Sequence, residues 1–150
     1  MAWHKTYPVP NEVVDYWMRE LESGSAFMVF SLVIRNTIGW SDERTMSERK
    51  EMDWISISQF QAKTGLSRKA ISPAIQRCVD TGAFRVFDIH GTLLDTPEKR
   101  KGKFRLCFRP HPALFHTSEK NAQVLINTRE ENALTLRRKV AALARKTRYT

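Results

Sequence analysis

Cysteine is scarce in this sequence: Cys78 and Cys107 are the only two among 150 residues, too few for a disulfide framework. Both fall in apolar-patterned stretches, where free cysteine packs as a small hydrophobe, and a reducing compartment fits. Long apolar runs are also missing, since none reaches the roughly 18 residues of a membrane span. Met1 to Pro10 lacks the basic segment, apolar run and small-residue cleavage site of a secretory signal. These absences point to a soluble, cytoplasmic protein that does not span a membrane. There is no Gly-x-x-x-x-Gly-Lys loop, Gly-x-Gly-x-x-Gly turn, His-Glu-x-x-His helix or Cys-x-x-Cys pair, so neither a cofactor nor a metal is expected. His111 and His116 have no cysteine nearby, and the carboxylate pairs Asp42-Glu43 and Glu130-Glu131 have no flanking base. All read as solvated surface groups, and no catalytic residue or enzymatic activity is expected.

Acid is the other deficit. Against 25 Lys and Arg stand 16 Asp and Glu, a formal charge of +9, with a pI near 9.9. The excess is not spread evenly: Met1 to His90 holds eleven bases and eleven acids, Gly91 to Thr150 fourteen and five. Clustered cations attract phosphate and release its condensed counterions, so a polyanionic partner is expected, nucleic acid first and an anionic membrane surface second. The length and 41% hydrophobic residues suit one compact domain with appendages.

Asn11 is placed to cap a helix over Glu12 to Leu21, where Val13, Val14, Trp17 and Leu21 recur at helical spacing and Ser23-Gly24-Ser25 ends the run. Ala26 to Ile38 is rich in β-branched residues, which permits a strand, but thirteen residues without Gly or Pro favour a buried helix stopped at Gly39. Ser41 to Asp53 mixes five acids with three bases and reads as a surface loop. Trp40 and Trp54 are expected to pack at its two ends and Trp17 in the core, while Trp3 stays open, in an arm that either touches nucleic acid or is disordered. Trp54-Ile55-Ser56-Ile57 re-enters the core, and Ser58 is the expected cap of a short helix ending at Lys63. Thr64-Gly65-Leu66-Ser67 makes a tight turn, with Gly65 left-handed and Ser67 capping the next helix, Arg68 to about Thr81. Ile71, Ile75, Cys78 and Val79 form its buried stripe.

Ala83 to Ile89 and Lys103 to Arg109 then alternate as strands, the second with Phe104, Leu106 and Phe108 on one face and Lys103, Arg105, Cys107 and Arg109 on the other. They predict a hairpin with a basic tip. Ala113 to Thr128 is too irregular to assign. Glu130 to Lys146 is helical again, with an apolar stripe of Ala133, Leu136, Val140 and Leu143.

The fold class read from this order is mainly α with a small β-hairpin, a winged helix-turn-helix with an additional C-terminal helix. The expected divisions are an arm at 1–9, the DNA-binding domain at 10–109, a linker at 110–128 and a basic helix and tail at 129–150. In such a domain the second helix enters the major groove and the wing lies along the neighbouring backbone. Ser67, Arg68, Lys69, Ser72, Gln76 and Arg77, the last three on the helix's outer face, are the candidate recognition-helix contacts, and Lys99, Arg100, Lys101, Lys103 and Arg105 the candidate wing contacts. Arg137, Arg138, Lys139, Arg145 and Lys146 offer further contacts from the tail, whose apolar stripe suits a homodimer. Pro73 leaves two arrangements open: a kinked helix, or a regular helix starting only at Ser72-Pro73 after a tighter turn.

Val9-Pro10-Asn11-Glu12, Ile34-Arg35 with Thr37, Gly39 and Trp40, Asp53-Trp54-Ile55 and Thr64-Gly65-Leu66-Ser67-Arg68 occur in that order. This set resembles the N-terminal winged-helix domain of the phage replication protein O family, over about Val9 to Asp88. The resemblance implies double-stranded DNA binding at repeated origin sites, usually as a dimer, and a replication protein as partner through a separate C-terminal region, which is short here. The Ser41 to Asp53 loop is longer than the family's. A winged-helix transcriptional regulator is the alternative use of the fold, and a protein-interaction module with a basic wing the alternative of another class.

Overall fold

The computed structural model describes residues 9–39, 50–115 and 130–139. Two compact units are present, Met1–Phe115 and His116–Thr150. Among its described residues the first is mainly helical with one small antiparallel sheet. Among the described residues no helix is long and apolar enough to cross a membrane.

Pro10 starts the first helix by accepting the Val13 amide at 3.0 Å. A π-helical stretch, Val13–Trp17, runs into α1, Met18–Leu21. Val13, Trp17 and Leu21 are buried and Val14 is half exposed, so the inward face keeps a strict spacing of four, which the wider π turn accommodates. Glu22 turns the chain through a left-handed conformation (φ 50°) and Ser23 caps α2, Gly24–Asn36, by accepting the Ala26 amide. The Ser-Gly-Ser segment thus begins α2 as well as ending α1. The alternative of a strand here is excluded, and the helix stops where Thr37 folds its hydroxyl back onto the Val33 carbonyl at 2.6 Å and Gly39 donates to Ile34.

β1, Asp53–Trp54, precedes α3, Ile57–Thr64. The cap of α3 is Ser56 rather than Ser58: Ser56 accepts the Gln59 amide while the Gln59 side chain accepts the Ser56 amide, a reciprocal capping box; Ser58 with Gln61 offers the same spacing, and the helix begins earlier, at Ile57. Gly65 ends α3 in the left-handed region (φ 73°), and Ser67 caps α4, Arg68–Thr81. Pro73 sits inside α4 on its exposed side. The helix therefore starts at Arg68 and not at Pro73, and proline there withdraws the N–H that the Lys69 carbonyl would otherwise accept.

β2, Phe84–Phe87, and β3, Cys107–Pro110, pair antiparallel with Val86 opposite Phe108. The expected hairpin is present but incomplete as a description, because β1 pairs on the other side of β3 (Asp53 opposite Phe108), giving the order β1-β3-β2. A two-residue strand carries too little periodicity to be seen in sequence. Being central, β3 buries both Cys107 and Phe108, with Leu106 buried just before it, so Cys107 packs as a small hydrophobe as expected, although it lies on the face opposite Leu106 and Phe108 in the alternating pattern. Between the strands lies α5, Pro97–Arg100. Trp54, expected to pack, is 43% exposed while Ile55 is buried.

α2 packs on α4 and α3, and α4 on β2. Phe108 joins the layers: its ring meets Phe60 and Phe84, each at 5.2 Å and edge-on, the favoured arrangement of aromatic quadrupoles. Residues 110–115, expected in a linker, belong to the compact unit. His111 donates its amide to the Ala83 carbonyl and its ring lies tilted against Trp17 at 5.6 Å, and Ala113 and Leu114 of the 3-10 turn Pro112–Phe115 are buried. Phe108→Ala should lower stability by about 3–5 kcal/mol through lost burial and the cavity left behind, read as the midpoint shift in urea unfolding.

Candidate functional site

Two elements place cations side by side. The first is the turn from α3 into α4. Thr64 accepts the Leu66 amide at 3.2 Å and Ser67 that of Ala70 at 3.2 Å, which sets the start of α4 outward. Ser67, Arg68, Lys69 and Ser72 are all exposed.

The second is the segment between β2 and β3, residues 88–106. Its start is organised by Asp88, a buried carboxylate accepting the His90 and Thr92 amides at 2.8 and 2.9 Å. The Thr92 bond above all holds its carboxyl below the ordinary value, against the opposing effect of burial; the His90 amide and the Lys103 ammonium, 3.8 Å away, help. Thr96 then caps α5 with Pro97 at its first position. Arg100 turns inward: it is 8% exposed and donates to the Leu94 carbonyl at 3.0 Å and to Gln76 Oε1 at 2.6 Å. Burial pulls its pKa down while Asp80, Asp95 and Glu98 push it up, and guanidinium stays charged throughout. Gly102, left-handed at φ 75°, carries the chain back outward, leaving Lys101, Lys103, Phe104 and Arg105 exposed.

A groove of about 560 Å³ lies between the two elements, walled by Arg68, Ser72 and Ile75 of α4 and by Lys101, Lys103 and Phe104 opposite. Arg68, Lys69, Lys101 and Arg105 enter none of the ion pairs among the described residues. Among those residues no group of three His, Cys, Asp or Glu could hold a metal.

Three expected contact residues do not reach the groove as free groups. Gln76 is half-buried and divides its amide between Arg100, the Asp95 carbonyl at 3.1 Å and Asp80 at 2.8 Å. Arg77 turns toward α1, where it donates to the Leu21 and Glu20 carbonyls and pairs with Glu22 at 3.2 Å, closing the helix end left open at Glu22. Arg100 is the buried partner of Gln76. These side chains are long and polar, and unpaired backbone carbonyls nearby compete for them; sequence spacing alone puts them on an outer face. Lys99 is exposed but paired with Asp95 at 2.6 Å, a surface pair of little strength. In the second unit, residues 130–139 are helical and exposed throughout, including Arg137, Arg138 and Lys139 and the apolar Leu134 and Leu136; Val140, Leu143, Arg145 and Lys146 lie outside the described residues, as do Trp3 and Trp40.

The sequence reading missed Asp88 and misplaced Phe104. Asp88, with a glycine three residues on, is a turn signal. Phe104 was expected on the core face of a long strand, but strand pairing ends at Phe87 opposite Cys107, so nothing covers it and it is 95% exposed.

Gln76→Ala should cost about 1–3 kcal/mol, because it leaves the buried Arg100 guanidinium short of a partner; an unchanged urea midpoint would remove the Gln76–Arg100 bond from this account. Asp88 titrates in the opposite sense to a buried neutral acid. Its folded pKa lies below its ordinary 3.8, so its contribution is complete above that value and is lost as pH falls through the lowered one. Asp88→Asn should therefore flatten the acid side of a melting-temperature profile. Comparison of the chain with protein-family models, curated proteins and solved structures finds no match in any of the three, and the resemblance to a replication protein O domain rests on the motif residues alone.

Proposed function

We propose that the chain is a winged-helix protein that binds double-stranded DNA, with the start of α4 entering the major groove and the 88–106 segment acting as the wing along the backbone. The observation that carries the reading is the groove lined by Arg68 of α4 on one side and Lys101 of the 88–106 segment on the other, both outside the ion pairs among the described residues, with Lys69 and Arg105 exposed next to them along the chain. The order α3, glycine turn, α4, hairpin is the chain order such a domain requires. A helix N-terminus adds its partial positive charge to phosphate attraction.

Base readout then falls to Arg68, Lys69 and Ser72, since Gln76 and Arg77 are held internally. With fewer groups for direct readout, most of the affinity comes from phosphate contacts, to which Arg137, Arg138 and Lys139 add. Origin recognition in phage-type or mobile-element replication is the use we favour, on the motif residues in and before the α3–α4 turn.

Replacing Lys101, Lys103 and Arg105 together by Ala should weaken binding on all duplexes alike and make the log K against log salt slope shallower by roughly 2–3, at about 0.9 per phosphate contact. Anisotropy titrations across a salt series read this, and an unchanged slope removes the wing from the interface. Sequencing the duplexes retained from a random pool tests specificity, with a recovered motif expected; retention of none defeats the proposal.

A further inference from the structure

We propose that Phe104 is a stacking residue that receives a nucleobase displaced from the helical stack, so that the protein holds DNA containing an unpaired step more tightly than perfect duplex. The inference rests on the DNA-binding reading above and adds to it the state of the DNA that is bound.

The chain has eight phenylalanines, and seven are buried or half-buried; Phe104 alone is 95% exposed. A packing role would have covered it. Hollows lie on both sides of it, the α4 groove of about 560 Å³ and a second of about 290 Å³ bounded by Asp88, Ile89 and His90. Gly102, Lys103 and Phe104 line both, so the residue stands as a partition with room for a flat group beside it.

The surroundings select the occupant. Lys101, Lys103 and Arg105 are exposed beside Phe104 along the chain. An apolar protein surface docking there would strip water from three cations without returning a partner, whereas a nucleic acid offers a π-face to the ring and phosphates to the cations. Perfect duplex must be unstacked before an apolar wedge can contact a base, at a cost of a few kcal/mol per step, and an unpaired step has that cost removed. The segment is also held in advance, by Arg100 on Gln76 and Leu94 and by Asp88 beneath Lys103, which limits the ordering lost on binding.

The test compares the full chain and its Phe104→Ala and Phe104→Trp variants on two probes: a perfect duplex, and the same duplex with a central bubble of unpaired bases carrying 2-aminopurine. Wild type should favour the bubble, and Phe104→Ala should lose about fivefold to a hundredfold in bubble affinity while its affinity for perfect duplex changes much less. Phe104→Trp should keep the preference, and 2-aminopurine emission should change on binding wild type but not Phe104→Ala. An exposed position should leave the urea midpoint of both variants unaltered, which separates a stacking loss from unfolding. If perfect duplex is bound but the bubble is not preferred, or Phe104→Ala weakens both probes equally, the stacking role is wrong and the DNA-binding reading stands. If neither probe is bound, both readings fall.

Discussion

A guanidinium removed from water has to be bonded where it is buried, and Arg100 meets that demand with one carbonyl of its own segment and one amide of α4. Through that pair the long connection between β2 and β3 is tied to the helix beside it. Gln76 can serve as the acceptor because its amide nitrogen is already engaged by Asp95 and Asp80, which orients the oxygen toward Arg100. The groove, the outward turn at Gly102 and the exposure of the neighbouring cations all follow from this anchoring. One cation is spent inside the fold to position others outside it.

Arg77, the next residue along α4, shows the same competition. Its guanidinium is drawn to carbonyls left over at the end of α1, where a helix has no partners of its own to offer. The adjacent pair Gln76 and Arg77 is therefore engaged in two directions, each bonded to a segment distant in sequence. The cations of α4 that stay outside the ion pairs among the described residues, Arg68 and Lys69, are both in its first turn, and that restricts where a polyanion can approach.

Much of the helical frame was legible in the sequence. The Thr64-Gly65-Leu66-Ser67 turn and the stripe of Ile71, Ile75 and Cys78 rest on local rules, left-handed glycine, side-chain capping and a period near 3.6, and these need no knowledge of the partner surface. What was not legible depends on elements far apart along the chain. β1 exists because β3 offers it an edge, β3 buries residues of both its faces because it is central, and Phe104 is exposed because pairing stops three residues later, at Cys107. The same limit separates Arg68, whose exposure follows from its place at a helix start, from Arg100, whose burial needs Gln76 as a partner.

The strand order β1-β3-β2 also bears on how the domain comes into being. Its middle strand, Cys107–Pro110, is the last of the three in the chain, and it supplies the ring that bridges Phe60 to Phe84. Helices α2, α3 and α4 are complete in the chain before that strand is reached, yet the sheet they rest on cannot close without it. Pairings such as Asp53 with Phe108 span a large sequence distance and carry the loop-closure entropy that slows folding. On a ribosome, α3 and α4 would emerge before the strand whose Phe108 packs on Phe60, so helices too short to be stable alone gain that support only once β3 has been made.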